Sequence, residues 1–97
     1  MHVGVCRIVL HLPENVSLKG KRQTVRSIKD RVRHRFNVSI AEVDDNGRWQ
    51  RATLGVSYVS NEARHVNEVL SQVVAYVEHI RGDFHLLDYN VELFHGL

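Results

Sequence analysis

The chain has 97 residues, 43% of them hydrophobic, with 13 Lys and Arg against 11 Asp and Glu for a formal net charge of +2, which fits one domain able to bury its own core. Its one cysteine excludes an internal disulfide, and the thiolate zinc patterns need cysteine pairs it does not have. No run approaches the length of a membrane-spanning helix, and Arg7 interrupts the apolar N-terminal segment that a secretory leader requires. The expected setting is cytoplasmic, with no membrane partner.

In chain order, His2 to Leu12 is rich in Val, Ile and Leu on both alternating faces, the pattern of a central strand. Pro13-Glu14-Asn15 reads as a turn, because Pro offers no ladder donor. Ser17 then suits the N-cap of a helix running to about Phe36, with Leu18, Val25, Ile28, Val32 and Phe36 on one face. Gly20 in its first turn weakens the start.

A second strand is expected from Asn37 to Val43, alternating Val38 and Ile40 with polar positions. The run Asp44-Asp45-Asn46-Gly47 is a turn signal, since Asn-Gly accepts positive φ cheaply. From about Gln50 to Val59 a third strand alternates Ala52, Leu54, Val56 and Tyr58 with Thr53, Gly55 and Ser57, which buries Tyr58. Ser60 or Asn61 is placed to cap a second helix to about Arg81, striped by Ala63, Val66, Leu70, Val73, Val77 and Ile80 and ended by Gly82. Leu86 to Phe94 alternates again as the last strand.

The order β-α-β-β-α-β predicts one α+β domain over residues 1–97, a ferredoxin-like fold with a four-stranded antiparallel sheet and both helices on one face. On the first strand Cys6, Ile8 and Leu10 oppose Val3, Val5 and Val9. One face packs on the helices and the other shows valines around Arg7, an open surface suited to a second copy of the chain.

The charge is distributed unevenly. Eight of the 13 basic residues fall between Ser17 and Phe36, opposed only by Asp30, for a local net charge of +7, while the rest of the chain carries −5. Lys19, Arg22, Arg26, Lys29 and Arg33 recur at spacings of 3, 4, 3 and 4, one line beside the apolar stripe, and Arg31 and Arg35 fall on the opposite flank. Such a line is about 21 Å long at 1.5 Å per residue, enough to follow several phosphates. Lys21 adds to the cationic helix start, where a capped N-terminus favours an anion. A solvated helix face that only keeps the protein soluble is the plainer alternative.

Trp49, between Arg48 and Gln50-Arg51, offers a ring for stacking on a base, unless it simply covers the edge of the core. The paired central-strand aromatics of an RNA-recognition sheet are absent. Lys19, Lys21, Arg22, Arg26, Lys29, Arg33 and Trp49 are the candidate nucleic-acid-binding residues.

Seven histidines (2, 11, 34, 65, 79, 85, 95) include no i, i+4 pair on a helix and no His-Glu-x-x-His, although His11 and His85 meet if their strands are neighbours; no metal site and no cofactor is expected. Cys6 reads as a core residue, and Glu42, Asp44 and Asp45 as turn chemistry. No Ser-His-Asp set or carboxylate pair can be assembled. The segment after the first strand, His11-Leu12-Pro13-Glu14-Asn15, lacks the Gly-rich Arg loop of an acylphosphatase, so no enzyme is expected.

Three ordered motifs carry a family resemblance: Ser17-Leu18-Lys19-Gly20-Lys21-Arg22, Phe36-Asn37-Val38-Ser39-Ile40-Ala41-Glu42 and Trp49-Gln50-Arg51-Ala52-Thr53-Leu54-Gly55. They resemble the YlxP-like family of small, largely uncharacterised bacterial proteins, with Gly20 departing from the longer residue common there. The resemblance implies a ferredoxin-like fold, a bacterial cytoplasm and, through gene neighbourhoods rich in translation and ribosome maturation, an RNA context; it implies no catalytic residues.

The functional expectation is a non-enzymatic RNA- or ribosome-associated binding protein that lays its basic helix on a phosphate backbone. A dimeric scaffold or regulator, pairing through the open sheet face without nucleic acid, is the alternative. An enzyme using the same cations on phosphorylated substrates, or attachment to anionic lipid, ranks lower, since the apolar stripe of the helix is committed to the core.

Overall fold

The computed structural model describes residues 1–97, with β1 (His2–His11), α1 (Leu18–Arg35), β2 (Ser39–Asp44), β3 (Arg51–Ser60), α2 (Ala63–His79) and β4 (His85–Phe94). The four strands form one sheet in the order β2-β3-β1-β4, every neighbouring pair antiparallel. This is the expected α+β, ferredoxin-like architecture. Neither helix is long and apolar enough to cross a membrane.

Alternation sets the layers. Cys6, Ile8 and Leu10 of β1 pair with Val56, Leu54 and Ala52 of β3, and all six are buried beneath the helices. Helix α1 adds Val25, Ile28 and Val32, and α2 adds Val66, Leu70, Val73 and Val77, to one continuous core. Gly4 continues the helix-facing row of β1, and a Cβ there would collide with the Val66 and Leu70 methyls, so α2 seats closely because that position has no side chain. Burial pushes the Cys6 thiol up to about 11, which fits an inert core residue.

The ends of several elements differ from expectation. Ser17 does cap α1, its Oγ accepting from Gly20 N at 3.0 Å. At α2, however, neither Ser60 nor Asn61 caps the helix. The N-cap is Glu62, which makes no side-chain cap bond, and Ser60 Oγ accepts from Glu62 N instead. The helix ends at His79 with Ile80 in extended backbone, so the left-handed ending expected at Gly82 is not used. In the β2–β3 turn the positive φ falls on Asp45 (64°) rather than on Asn46 or Gly47. Asp tolerates this conformation because its short polar side chain bonds locally, and here that side chain is the centre of a network described below. Tyr58 is half-buried, with its hydroxyl 3.0 Å from His65 Nε2.

The face of the sheet away from the helices is uncovered over most of its area. Val5, Val43, Val59 and Phe94 stand there at 40–55% exposure. Arg7 reaches across it to Asp44 at 2.9 Å. At one end the face is closed: Val9 is 8% exposed and Thr53 is fully buried, its hydroxyl bonded by Asp45 of the β2–β3 turn.

Candidate nucleic-acid interface

Helix α1 carries two lines of residues side by side. The core line runs Leu18, Lys21, Val25, Ile28, Val32, and the cationic line follows one residue behind as Lys19, Arg22, Arg26, Lys29, Arg33. The whole segment is helical, so the cations do stand in file. Lys19, Arg22, Arg26 and Lys29 have no carboxylate within salt-bridge distance, and all but the half-buried Lys29 are exposed. Four positive charges without internal partners repel one another along the helix, by roughly 0.2–0.5 kcal/mol for each i, i+4 pair. An external anion relieves that repulsion.

Arg33 is held differently. Its guanidinium donates to Ile40 O at 3.0 Å and lies 3.7 Å from Asp30, so it ties the end of α1 to β2. The cationic line therefore faces the β2 side of the molecule. Arg35, on the other flank, sits 4.9 Å over the Tyr76 ring of α2.

Lys21 does not belong to the interface. It is 1% exposed, with its ammonium 3.0 Å from Glu42 Oε2 and donating to the carbonyls of Asp45, Asn46 and Arg51. Three N–H groups are matched by three carbonyls, which leaves Glu42 Oε2 as a charge partner with no hydrogen-bond donor of its own. The sequence carried the signal: position 21 completes the spacing 18, 21, 25, 28, 32, and Glu42 falls on the helix-facing row of β2 opposite Leu54. Two opposite charges at core-facing positions of adjacent elements mark an internal pair rather than a surface one.

Lys21 grips the β2–β3 turn from the helix side, and Asp45 grips it from the open side. Asp45 Oδ2 accepts from Thr53 Oγ1 at 2.6 Å and from Arg51 Nε at 3.0 Å, while Oδ1 lies 3.3 Å from Arg48 Nε. The Thr53 hydroxyl first, and the Arg51 guanidinium after it, hold the Asp45 carboxyl below its ordinary value of 3.8, against the opposing effect of burial. A carboxyl lowered on folding adds stability that is full above its ordinary value and is lost as pH falls through the folded one. Trp49 is the only tryptophan and reports on this turn. Its emission should hold its neutral-pH form until the pH drops below 3.8. In Asp45→Asn it should start already altered and show a smaller acid step, and an unchanged titration would exclude this role for Asp45.

A third set of bonds joins the same turn to the loop before α1. The Asn15 side-chain amide nitrogen donates to both Ser17 O and Trp49 O. Gln50 Nε2 donates to Pro13 O at 3.1 Å and Asn15 O at 3.3 Å, and Leu12 N donates to Gln50 O at 2.9 Å. Gly20 gives Asn15 its place, since a Cβ there would strike Asn15 Oδ1. The polar positions Lys21, Glu42 and Gln50 of the three motifs are thus spent on joining β1–α1 to β2–β3. Trp49 is left with its backbone fixed at the start of the cationic line and its ring 55% exposed, lining a shallow depression with His11, Arg48, Gln50 and Arg51. It does not cover the core. His11 and His85 do meet as a register pair, but no group of three or more His, Cys, Asp or Glu is arranged to hold a metal ion.

Comparison with known sequences adds the family context. The family model described as "Protein of unknown function (DUF503)" matches residues 3–91. The chain is similar to the "Uncharacterized protein YlxP" of Bacillus subtilis (strain 168), 37% identical over 62 residues that cover 64% of this chain and 67% of that protein.

Proposed function

The chain belongs to the family of proteins of unknown function designated DUF503, and for this member we propose a non-enzymatic, bacterial cytoplasmic role: binding RNA, in association with the ribosome, by laying the phosphate backbone along α1. The observation that carries the reading is the file of Lys19, Arg22, Arg26 and Lys29, helical and without carboxylate partners in a chain that elsewhere is net acidic. Phosphate contacts of this kind give affinity and register without sequence readout. Trp49 at the end of the file supplies an aromatic face. The test is titration of a single-stranded RNA with the wild-type chain and with the triple variant Arg22→Glu, Arg26→Glu, Lys29→Glu over a range of salt, together with retention of the two on ribosomes.

A second reading is a homodimer formed through the open sheet face, favoured by the exposure of Val5, Val43, Val59 and Phe94. Four strands of up to ten residues present about 600 Å² from strand rise and spacing, somewhat short of the about 800 Å² per partner of a standard interface. The Arg7–Asp44 pair crosses that face, and Asp88, Asn90 and Glu92 lie on it by register opposite Val9, Arg7 and Val5. Burying those charges costs more than the valines return unless each finds a partner, which is why RNA binding ranks first. Light scattering decides: a dimer whose mass persists in high salt, with no RNA retained, would reverse the ranking.

A further inference from the structure

We infer that the RNA taken by this surface is single-stranded where it meets the protein, one unpaired base stacking on Trp49 while its 3′ or 5′ phosphates run onto Lys19 and Arg22. The inference rests on the RNA-binding reading above and narrows it to a substrate class.

Three observations lead to it. The first is that Trp49 is exposed although its segment is among the most heavily tied of the surface. Asn15 holds its carbonyl, Gln50 beside it bonds Pro13 and Asn15, and Lys21 and Asp45 clamp the turn from two sides. A large apolar ring in water on a fixed backbone is preorganised, so a flat partner that covers it pays little ordering entropy.

The second is position. One side-chain nitrogen of Asn15 bridges Trp49 O and Ser17 O, which holds the Trp49 backbone beside the N-cap of α1, two residues before Lys19, the first cation of the file. A strand whose base lies on the ring is then carried toward that end of the file.

The third is the chemistry around the ring. Arg48 and Arg51 are each drawn to Asp45, which offsets part of their charge at the depression. A polar-rimmed aromatic beside a cationic line without internal partners fits a nucleotide, base on one part and phosphate on the other. The bases of a duplex are stacked on each other and offer no face to Trp49, except at an end.

Trp49 supplies its own readout as the only tryptophan. Its fluorescence is followed while the full chain is titrated with a single-stranded RNA, a blunt duplex of the same sequence, and the duplex with a single-stranded overhang. Single strand and overhang should quench it strongly, and the blunt duplex, made long enough that its two ends are a small part of it, should quench it no more than those ends allow. Trp49→Ala should weaken single-strand binding by about 5- to 150-fold, the loss expected for one stacked base, while Trp49→Phe keeps most of the affinity and duplex binding does not change. Circular dichroism of the variants should match wild type, because the ring lies outside the core. Equal weakening on duplex and single strand, or full single-strand affinity in Trp49→Ala, would overturn the inference. Loss of binding in the Arg22, Arg26, Lys29 triple variant with Trp49→Ala unaffected would overturn the stacking alone; no binding of any RNA by the wild type would overturn the parent reading with it.

Discussion

The triple variant Arg22→Glu, Arg26→Glu, Lys29→Glu should lose at least about 50-fold in affinity for single-stranded RNA near physiological salt. Each phosphate contact on a single strand contributes about 0.7 to the slope of log K against log salt. Four partnerless cations therefore set a wild-type slope of about −3, and removing three leaves about −1. At about 0.15 M salt that difference alone accounts for the quoted factor, and three carboxylates facing the backbone add repulsion to it. The fold should survive, since all three positions lie outside the core line and make no internal ion pair. Arg33→Ala makes a useful contrast. Its guanidinium is engaged with Ile40 O and Asp30, so it should change the salt slope less than Arg26→Ala does. A triple variant that binds as tightly as wild type with the same slope would remove the case for α1 as a phosphate track.

Lys21→Met should lower the stability of the domain by about 3–5 kcal/mol, the usual cost of removing one partner of a buried ion pair. The substitution leaves the Glu42 carboxylate without its counter-charge and removes the ammonium from the carbonyls of Asp45, Asn46 and Arg51, of which Asp45 O keeps Arg48 N as a donor. Typical domains have only about 5–15 kcal/mol in total. For a chain of this length the thermal midpoint should therefore fall by more than about 12 °C. Lys19→Met, two residues earlier on the exposed line, should stay within about 0.5 kcal/mol of wild type. Replacing both partners, as in Lys21→Met with Glu42→Leu, should recover part of the loss, because the orphaned carboxylate is gone while the carbonyls still lack the ammonium. A Lys21→Met midpoint equal to that of wild type would show that the turn does not depend on this ammonium. The two experiments separate two lysines and arginines groups that look alike in the chain: one set is free to meet a ligand, and Lys21 is fully occupied inside.

Much of the fold was legible because periodicity is a local property. Val, Leu and Ile alternating in His2 to Leu12 cannot satisfy a helix face, and Val25, Ile28 and Val32 cannot satisfy a strand. Those patterns, with Ser17 as a cap, are enough to order the six elements. The missed endings have different causes. Asp45 takes the positive φ with its carboxylate bonded to Thr53 and Arg51 of β3, so the local Asn46-Gly47 signal yields to a contact with another strand, whereas Glu62 and Ile80 bond only within their own segments, to Ser60 and Val77.

The sequence by itself determined the element order and the existence of a cationic file, because both follow from residue spacing along one regular element. Only the tertiary structure decided which cations lack internal partners and where Trp49 stands. Whether Lys21 faces water or a carboxylate depends on β2 lying beside α1, and whether Trp49 covers a core or stands over an open depression depends on two loops being tied together by Asn15 and Gln50. Burial and charge pairing are relations between distant segments, and the spacing within one segment does not contain them.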